Sequence, residues 1–118
     1  MPLIAPAIDT TIVGVPRFVW SGIAAGDTFT AVTLTQQYGL AASLQAVGTF
    51  SSSVITMQVS NDGTNWVTAK DLLGTDITFS ATGYRELSLS AAYIRPSIAS
   101  GTGSALSVIM VLRGSNGV

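Results

Sequence analysis

The sequence predicts an all-β fold: an antiparallel β-sandwich, jelly-roll or Ig-like, of about eight short strands with an extended N-terminal arm. Apolar and polar residues alternate with a period of two in short runs from residue 17 onward. Gly, Asp, Asn and Ser interrupt these runs, and no segment shows the 3.6-residue period of a helix. The 118 residues therefore divide into an arm, 1–16, and a single β-sandwich domain, 17–118.

The arm at residues 1–16 is extended, because its prolines disfavour a helix. They stand at three positions: Pro2, Pro6 and Pro16. Four large aliphatic residues make it too apolar for a disordered tail. These are Ile4, Ile8, Ile12 and Val13. We expect the arm to dock onto a neighbouring subunit; the alternative is a first edge strand of the same domain.

The alternation also predicts which side of each strand is apolar. The apolar sides contain Phe18, Trp20, Val32, Leu34, Leu44, Ala46, Phe50, Ile55, Met57, Val59, Ile77, Phe79, Leu87, Leu89, Ile94, Ile98, Leu106, Val108, Met110 and Leu112. Residues 28–35 form one predicted strand. We expect the strands at 43–50 and 55–59 to pair as neighbours.

A β-hairpin is the strongest local prediction. The run from Val59 to Trp66 places Asn61, Asp62 and Gly63 between two strand-like segments. Asp and Gly accept the positive φ of a tight turn. We expect Trp66, at the start of the returning strand, to anchor the core.

The last two strands carry the residues that the alternation turns outward. In the first of them, Tyr93 and Arg95 point outward, and Pro96 indicates a bulge or a sheet margin because it cannot donate a ladder hydrogen bond. The final strand is apolar on both sides. Its outward residues, Ile109 and Val111, must be covered by a second sheet, the arm or another subunit.

Charged residues make up only 9% of the chain, against about 25% in an average globular protein. So neutral a surface predicts an oligomer or an assembly subunit, although a surface of Ser, Thr, Gln and Asn is a competing explanation. The net charge of −1 and the lack of a basic cluster argue against nucleic-acid binding. No window is apolar enough to span a membrane, and the N-terminus predicts no secretory signal.

The chain contains no cysteine and no histidine. This composition excludes disulfides, thiolate metal sites, cysteine nucleophiles, Ser-His-Asp triads and the usual zinc sites. Six acidic residues remain, and their spacing selects no catalytic pair. Asp27, Asp62 and Asp71 fall in loops, where Asp commonly caps turns. A calcium ion between two loops is the alternative, but the EF-hand spacing is missing.

Four aromatic residues could form a platform on which a sugar stacks. They are Trp20, Trp66, Tyr84 and Tyr93. The competing interpretation places them at the rim of the core, with each indole N–H or phenol bonded to a polar partner. Tyr93 and Arg95 would also suit a protein interface, where Tyr and Arg are favoured anchors.

Several features occur together between about residues 20 and 113. They are Trp20 before a Gly-Asp loop, the hairpin Ser60–Trp66, the run Tyr93–Pro96, a Gly/Thr turn and a terminal apolar strand. This combination resembles small structural proteins of tailed bacteriophages, among them capsid decoration, or cement, proteins. The resemblance implies a β-sandwich on the virion exterior, assembled in the host cytoplasm. It also implies binding to the major capsid protein, commonly as a homotrimer across junctions between capsid subunits.

We therefore predict a non-enzymatic virion protein, a decoration protein that stabilises the capsid shell as an oligomer. Its candidate partner-interface residues are Ile4, Ile8, Ile12, Val13, Tyr93, Arg95, Ile109 and Val111. We predict no catalytic, cofactor-binding or metal-binding residue. The alternative is a carbohydrate-binding or adhesin-type module, such as a phage tail or fibre component, which requires an exposed aromatic platform.

Overall fold

A computed structural model of the chain describes residues 3–4, 6–9, 17–33, 41–88, 91–98 and 100–113. These residues form β-strands joined by turns and loops, with no helix among them. The strands are β1 Leu3–Ile4, β2 Ala7–Asp9, β3 Arg17–Ile23, β4 Thr28–Phe29, β5 Val32–Thr33, β6 Ala41–Thr49, β7 Ile55–Ser60, β8 Val67–Thr68, β9 Thr78–Phe79, β10 Gly83–Ser88, β11 Tyr93–Ile98 and β12 Ser104–Arg113. The prediction of an all-β sandwich is confirmed.

Two antiparallel sheets pack face to face. Sheet I has the order β10-β6-β12-β3-β2, and sheet II has the order β5-β11-β7-β8, with β9 also paired to β7. A short parallel pair, β1 with β4, lies outside them. Both β8 and β9 pair with the same edge of β7, so residues 67–79 form one edge strand. A loop at 70–76, which we call the excursion, interrupts this strand.

The strand order is that of a jelly roll. We count β4 and β5 as one strand and β8 and β9 as one strand, and number the strands from β3 onward. Sheet I then contains strands one, eight, three and six, and sheet II contains strands two, seven, four and five. Two interlocked Greek keys give this order. The topology therefore selects the jelly roll over the Ig-like alternative, and β2 extends sheet I beyond it.

The core lies between the sheets and is built from the predicted apolar sides. Its buried residues include Phe18, Trp20, Val32, Leu44, Ala46, Ile55, Met57, Ile77, Phe79, Leu87, Ile94, Ile98, Leu106, Val108 and Met110. Val59 packs against this cluster and is partly buried. Leu34 and Leu89 lie outside the described residues, as does the side chain of Leu112.

Trp20 is fully buried, and its indole N–H donates a 3.0 Å hydrogen bond to the carbonyl of Thr30. This bond helps to explain a difference from the sequence prediction. Instead of one strand over 28–35, the chain forms β4, leaves the ladder at Thr30 and then forms β5. β4 pairs with β1, whereas β5 pairs with β11. The Thr30 carbonyl is thus satisfied by a side chain rather than by a neighbouring strand.

The N-terminal residues that the structure describes pair with their own chain. β2 joins the edge of sheet I beside β3, with Ile8 in register with Phe18. β1, which contains Ile4, pairs with β4. This is the edge-strand alternative rather than docking on a neighbouring subunit. Ile12 and Val13 lie outside the described residues.

The predicted pairing of the strands at 43–50 and 55–59 is wrong. β6 lies in sheet I between β10 and β12, whereas β7 lies in sheet II beside β11. The connection crosses from one sheet to the other at Ser51 and Ser52, whose φ angles of 43° and 71° turn the chain sharply. A period-two pattern identifies the buried side of each strand but carries no information about its partner.

The prediction that Pro96 marks a bulge or a sheet margin is wrong, because β11 lies between β5 and β7 and its register with β7 is regular. β11 pairs with β7 along its whole length, but with β5 only at Tyr93 and Ile94. Pro96 follows the end of that second ladder. Its missing N–H therefore costs no strand pairing with β5.

A tight corner joins the two sheets at one end of the sandwich. Ser53 N–H donates to the Phe50 carbonyl, Thr102 N–H donates to the Ser51 carbonyl, and Gly103 N–H donates to Ser53 Oγ. Gly101 has a φ of 114°, and a Cβ atom there would lie 2.5 Å from the backbone nitrogen of Ser53. Only glycine fits.

We predict that Gly101→Ala lowers the free energy of unfolding by at least about 3 kcal/mol, because backbone strain and a backbone clash add together. Gly22→Ala is the matched control. Its φ is also positive, at 63°, but nothing lies within 4 Å of an added Cβ. This control should cost only about 1 kcal/mol. Urea denaturation of both variants measures the difference, and equal losses would contradict the proposed clash.

Candidate partner interface

Four of the eight predicted interface residues have side chains that the structure describes, and these four lie on two opposite surfaces. Tyr93 and Arg95 are half-buried on the outer face of sheet II, where they alternate with the buried Ile94 and Pro96. Ile109 and Val111 are half-buried on the outer face of sheet I. The sandwich core separates the two pairs, so these residues do not form one site.

The outer face of sheet II carries a stacked arginine. The Arg95 guanidinium lies over the Trp66 ring, 4.0 Å from its centroid, and Arg95 Nε donates a 3.0 Å hydrogen bond to Gln58 Oε1. Gln58 is the cross-strand neighbour of Arg95 on β7. Partial burial lowers the pKa of Arg95, but a guanidinium stays charged at any ordinary pH. We call Trp66, Arg95 and Gln58 the arginine stack.

The expectation that Trp66 anchors the core is wrong. Trp66 is half-buried and immediately precedes Val67, which pairs with Val59. Successive side chains of a strand alternate between faces, so Trp66 lies on the side of Gln58 and Thr68, away from the core. Trp20 is the tryptophan that fills the core. In the sequence, both tryptophans stand at the start of a strand, so this position does not distinguish the buried one from the one at the surface.

The hairpin loop beside the arginine stack is organised by one carboxylate. Asp62 Oδ1 accepts hydrogen bonds from the backbone N–H groups of Thr64 and Asn65 at 2.8 Å, and Asp62 Oδ2 accepts from Asn65 Nδ2 at 2.7 Å. Ser60 Oγ donates to the same carboxylate and accepts from Gly63 N–H. The hairpin prediction is confirmed, but the turn is a wide loop from Ser60 to Trp66.

These hydrogen bonds lower the pKa of the Asp62 carboxyl. The backbone N–H of Asn65 contributes most to this shift, and the backbone N–H of Thr64 contributes next.

The loop also covers Tyr93, since a Cβ at Gly63 would lie 3.6 Å from the Tyr93 ring. Loop, ring and arginine stack thus form one continuous surface. Its groups are held by hydrogen bonds and stacking instead of being free to move.

The outer face of sheet I presents a different surface. Ile109 on β12 is in register with Val19 on β3 and Gln45 on β6, and Gln45 is in register with Tyr84 on β10. Ile109 and Val19 are half-buried, whereas Tyr84 is 58% exposed at the sheet edge. This face therefore carries a row of side chains that runs from aliphatic at the centre to aromatic at the edge.

The four aromatic residues considered as a sugar platform are not together. Trp20 is in the core, and Tyr84 lies on the opposite sheet from Trp66 and Tyr93. The guanidinium of Arg95 covers one face of Trp66. The arrangement provides no aligned set of open ring faces.

Sequence reasoning missed a pair of leucines displayed on the excursion at 70–76. Leu72 is 64% exposed and Leu73 is 90% exposed. Asp71 holds the turn beneath them: its Oδ1 accepts from the backbone N–H groups of Leu73 and Thr75. The sequence does contain a signal for this pair, because two adjacent leucines stand between Asp71 and Gly74. In a β-strand, one of two adjacent side chains would point outward. We call Leu72 and Leu73 the leucine knob.

The knob is tied to both sheets. Arg85 on β10 of sheet I donates to Asp71 Oδ2 at 3.0 Å, and Leu72 N–H donates to the Glu86 carbonyl at 3.2 Å. A Lys70–Asp76 ion pair closes the base of the turn. The bond from Thr75 N–H is the largest cause of a lowered pKa at Asp71. The leucines are therefore presented on a rigid turn.

Clustered metal ligands, unpartnered buried polar atoms and membrane-spanning helices are all absent from the described residues. They contain no group of three or more His, Cys, Asp or Glu side chains that could hold a metal ion. Every buried side-chain nitrogen or oxygen among them has a hydrogen-bond partner. None of their segments is a helix long and apolar enough to cross a membrane.

Comparison with known proteins places the chain in no family: neither a family model, a curated protein nor a solved structure matches it.

The carboxylate of Asp62 should make stability depend on pH. Its folded-state pKa lies below the ordinary value of 3.8, so its contribution is present above that value and is lost as the pH falls toward the folded-state pKa. We expect the stability difference between wild type and Asp62→Asn to be constant from pH 7 to about 5 and to shrink below about 4. Urea denaturation across this range measures it. Asp71 titrates in both proteins and cancels, and a difference independent of pH would contradict the assignment.

The positions of the two tryptophans predict their response to a collisional quencher. Trp66 is half-buried on the surface and Trp20 is fully buried, so acrylamide should quench the wild type in two components. In Trp66→Phe, only the weakly quenched component should remain. Retention of the accessible component in that variant would place Trp20, not Trp66, at the surface.

Proposed function

We propose that this protein is a non-enzymatic structural subunit of a bacteriophage virion, a decoration protein that binds the outside of the capsid shell as an oligomer. The observation that carries the proposal is the arginine stack on the outer face of sheet II. Arg95, Trp66 and the neighbouring Tyr93 are of the residue types that dominate binding energy in protein interfaces. They lie together on the outer face of sheet II, where each of the three side chains is partly exposed.

The geometry of the arginine stack favours binding to a protein partner. Arg95 Nε is bonded to Gln58, whereas its terminal nitrogens have no acceptor among the described residues. Stacking on Trp66 fixes the plane of the guanidinium before any partner arrives. A pre-positioned guanidinium loses little conformational entropy when it binds a carboxylate or a backbone carbonyl. The major capsid protein is the proposed partner.

The fold and the composition support the same proposal. Jelly rolls are a common architecture of viral capsid domains, although they also occur in lectins and cupins, so the fold alone does not decide the function. Only 9% of the residues are charged. Half-buried Ile109 and Val111 on sheet I and the exposed leucine knob give a subunit with several surfaces suited to association. A shell-binding oligomer needs such surfaces for both the shell and its own copies.

The carbohydrate-binding alternative rests on Tyr84, an exposed aromatic ring at the edge of sheet I. A single ring gives one stacking surface, and the arginine stack occupies a face of Trp66. Binding on a glycan array that is lost in Tyr84→Ala and retained in Arg95→Ala would favour this alternative over the decoration role.

Imaging of phage particles tests the proposed location. We expect density for the protein on the outer capsid surface, repeated with the symmetry of the lattice. A small copy number at one vertex would assign it to the tail or fibre instead. Absence from the particle would overturn the virion role.

Binding to heads that lack the protein tests the arginine stack. We expect Arg95→Ala to weaken binding by at least about tenfold. Arg95→Lys should weaken it as well, since lysine keeps the charge but loses the planar stack. Thr56→Ala is the matched control, because Thr56 is half-buried on β7 two positions from Gln58 and lies outside the stack. Equal binding by all variants would show that the shell contacts another face.

A further inference from the structure

The sequence contains a single Asp–Gly pair, Asp62–Gly63, and both residues are exposed in the hairpin loop. An aspartate followed by glycine is the most prone to spontaneous isomerisation, because glycine has no side chain to hinder attack by its own backbone nitrogen. Every other aspartate of the chain is followed by Thr, Leu or Ile. Asp62 is therefore the aspartate at which this modification is chemically easiest.

We propose that Asp62 is a latent isomerisation site, which the hydrogen bonds of the folded hairpin loop protect and which reacts when the loop opens. In the reaction, Gly63 N attacks Asp62 Cγ and forms a succinimide ring, while the N–H proton and the carboxyl OH leave as water. A second water then adds at the α carbonyl and breaks its bond to Gly63 N, which gives isoaspartate with no net change in mass. This inference does not rest on the proposed function.

The attacking nitrogen is the first group that the folded loop restrains. Gly63 N–H donates a 2.9 Å hydrogen bond to Ser60 Oγ, and Ser60 is buried, with 4% of its surface exposed. The Tyr93 ring lies against Gly63, since an added Cβ there would be 3.6 Å from it. To attack Asp62 Cγ, the Gly63 amide must turn and lose its proton, which breaks the bond to Ser60.

The carboxyl group is restrained as well. Asp62 Oδ1 accepts from the backbone N–H groups of Thr64 and Asn65 at 2.8 Å and from Ser60 Oγ at 2.9 Å, and Asp62 Oδ2 accepts from Asn65 Nδ2 at 2.7 Å. Turning Cγ toward Gly63 N moves the oxygens away from these donors. The same bonds lower the pKa of the carboxyl, and the ionised carboxylate is a far poorer electrophile than the acid.

The start of the loop is also tied to the chain before β11. Ala92 N–H lies 3.1 Å from the Ser60 carbonyl and 3.2 Å from Asn61 Oδ1, and it donates to both. Several bonds, most of them to a charged group, must therefore break before the reaction can begin. Because only the open loop reacts, we expect folding to slow isomerisation by at least about tenfold.

Isoaspartate at position 62 would not restore the loop on refolding. The former side-chain methylene becomes part of the main chain, and the free carboxylate moves to the α carbon. The backbone N–H groups of Thr64 and Asn65 then lose the acceptor that organises the loop over Tyr93. Isoaspartate at this position is therefore a permanent chemical record of time that a molecule has spent with the loop open.

Digestion with endoproteinase Asp-N measures the modification in the full chain, because this enzyme cuts before aspartate but not before isoaspartate. Unmodified chain gives the fragments 27–61 and 62–70, whereas isoaspartate at 62 leaves 27–70 intact. The protein is incubated in the same mildly acidic buffer with and without denaturing urea, and then digested. We expect fragment 27–70 to accumulate at least about tenfold more slowly without urea. An equal or faster rate in the folded protein would overturn the inference.

Two variants separate opening of the loop from global unfolding. Ser60→Ala removes the acceptor of Gly63 N–H and one donor to Asp62, so isomerisation of the folded protein should rise about fivefold. Gly22→Ala is the matched control, because it strains a backbone with a φ of 63° outside the loop. It should isomerise at the wild-type rate. Circular dichroism checks that each variant is folded.

Two results with these variants would also overturn the inference. One is a wild-type rate in folded Ser60→Ala. The other is an acceleration in Gly22→Ala as large as that in Ser60→Ala, which would show that the reaction requires global unfolding. Should Ser60→Ala be unfolded, Asn65→Ala takes its place, because it removes the bond to Asp62 Oδ2 at an exposed position.

Discussion

The corner at Ser53 and Gly101 is the constraint on which the sandwich depends. In a jelly roll, the chain must cross repeatedly between the sheets, and two of these crossings, from β6 to β7 and from β11 to β12, turn in contact with each other. Hydrogen bonds from Thr102 and Gly103 join the second crossing to the first. Because a side chain at 101 would meet the Ser53 backbone, the two crossings can approach closely only with glycine there. The corner thereby holds the end of β6 beside the start of β12, and these two strands pair as neighbours in sheet I.

Much of this fold was predictable, and the reason is local. Alternation along a strand is a property of adjacent residues, so the buried sides of β6, β7, β11 and β12 follow directly from the sequence. The Asp62–Gly63 turn is likewise local, since its hydrogen bonds join residues at most three positions apart. Pairing is not local. Nothing in the run from Phe50 to Ile55 distinguishes a hairpin from a crossing between sheets, and the choice depends on contacts with residues some fifty positions away.

The candidate surfaces divide in the same way. The outward positions of Tyr93 and Arg95 follow from the pattern of β11, but the partner of Arg95 does not. Trp66 reaches it only because β7 lies between β8 and β11. The leucine knob was missed because adjacent leucines in a short polar loop resemble a fragment of strand. What turns them outward is Asp71, whose carboxylate closes the turn and pairs with an arginine fourteen residues away.

The hydrogen bond from Leu72 N–H to the Glu86 carbonyl has a consequence for solubility. β10 is an edge strand of sheet I, and an open edge is a template on which strands of other molecules can add without limit. The Asp71 turn occupies that edge at Glu86, and the exposed charge of the Glu86 side chain lies at the same position. A protein with so few charges has little electrostatic repulsion to prevent fibre-like aggregation. At Glu86, the edge of β10 is therefore not open to the addition of a strand from another molecule.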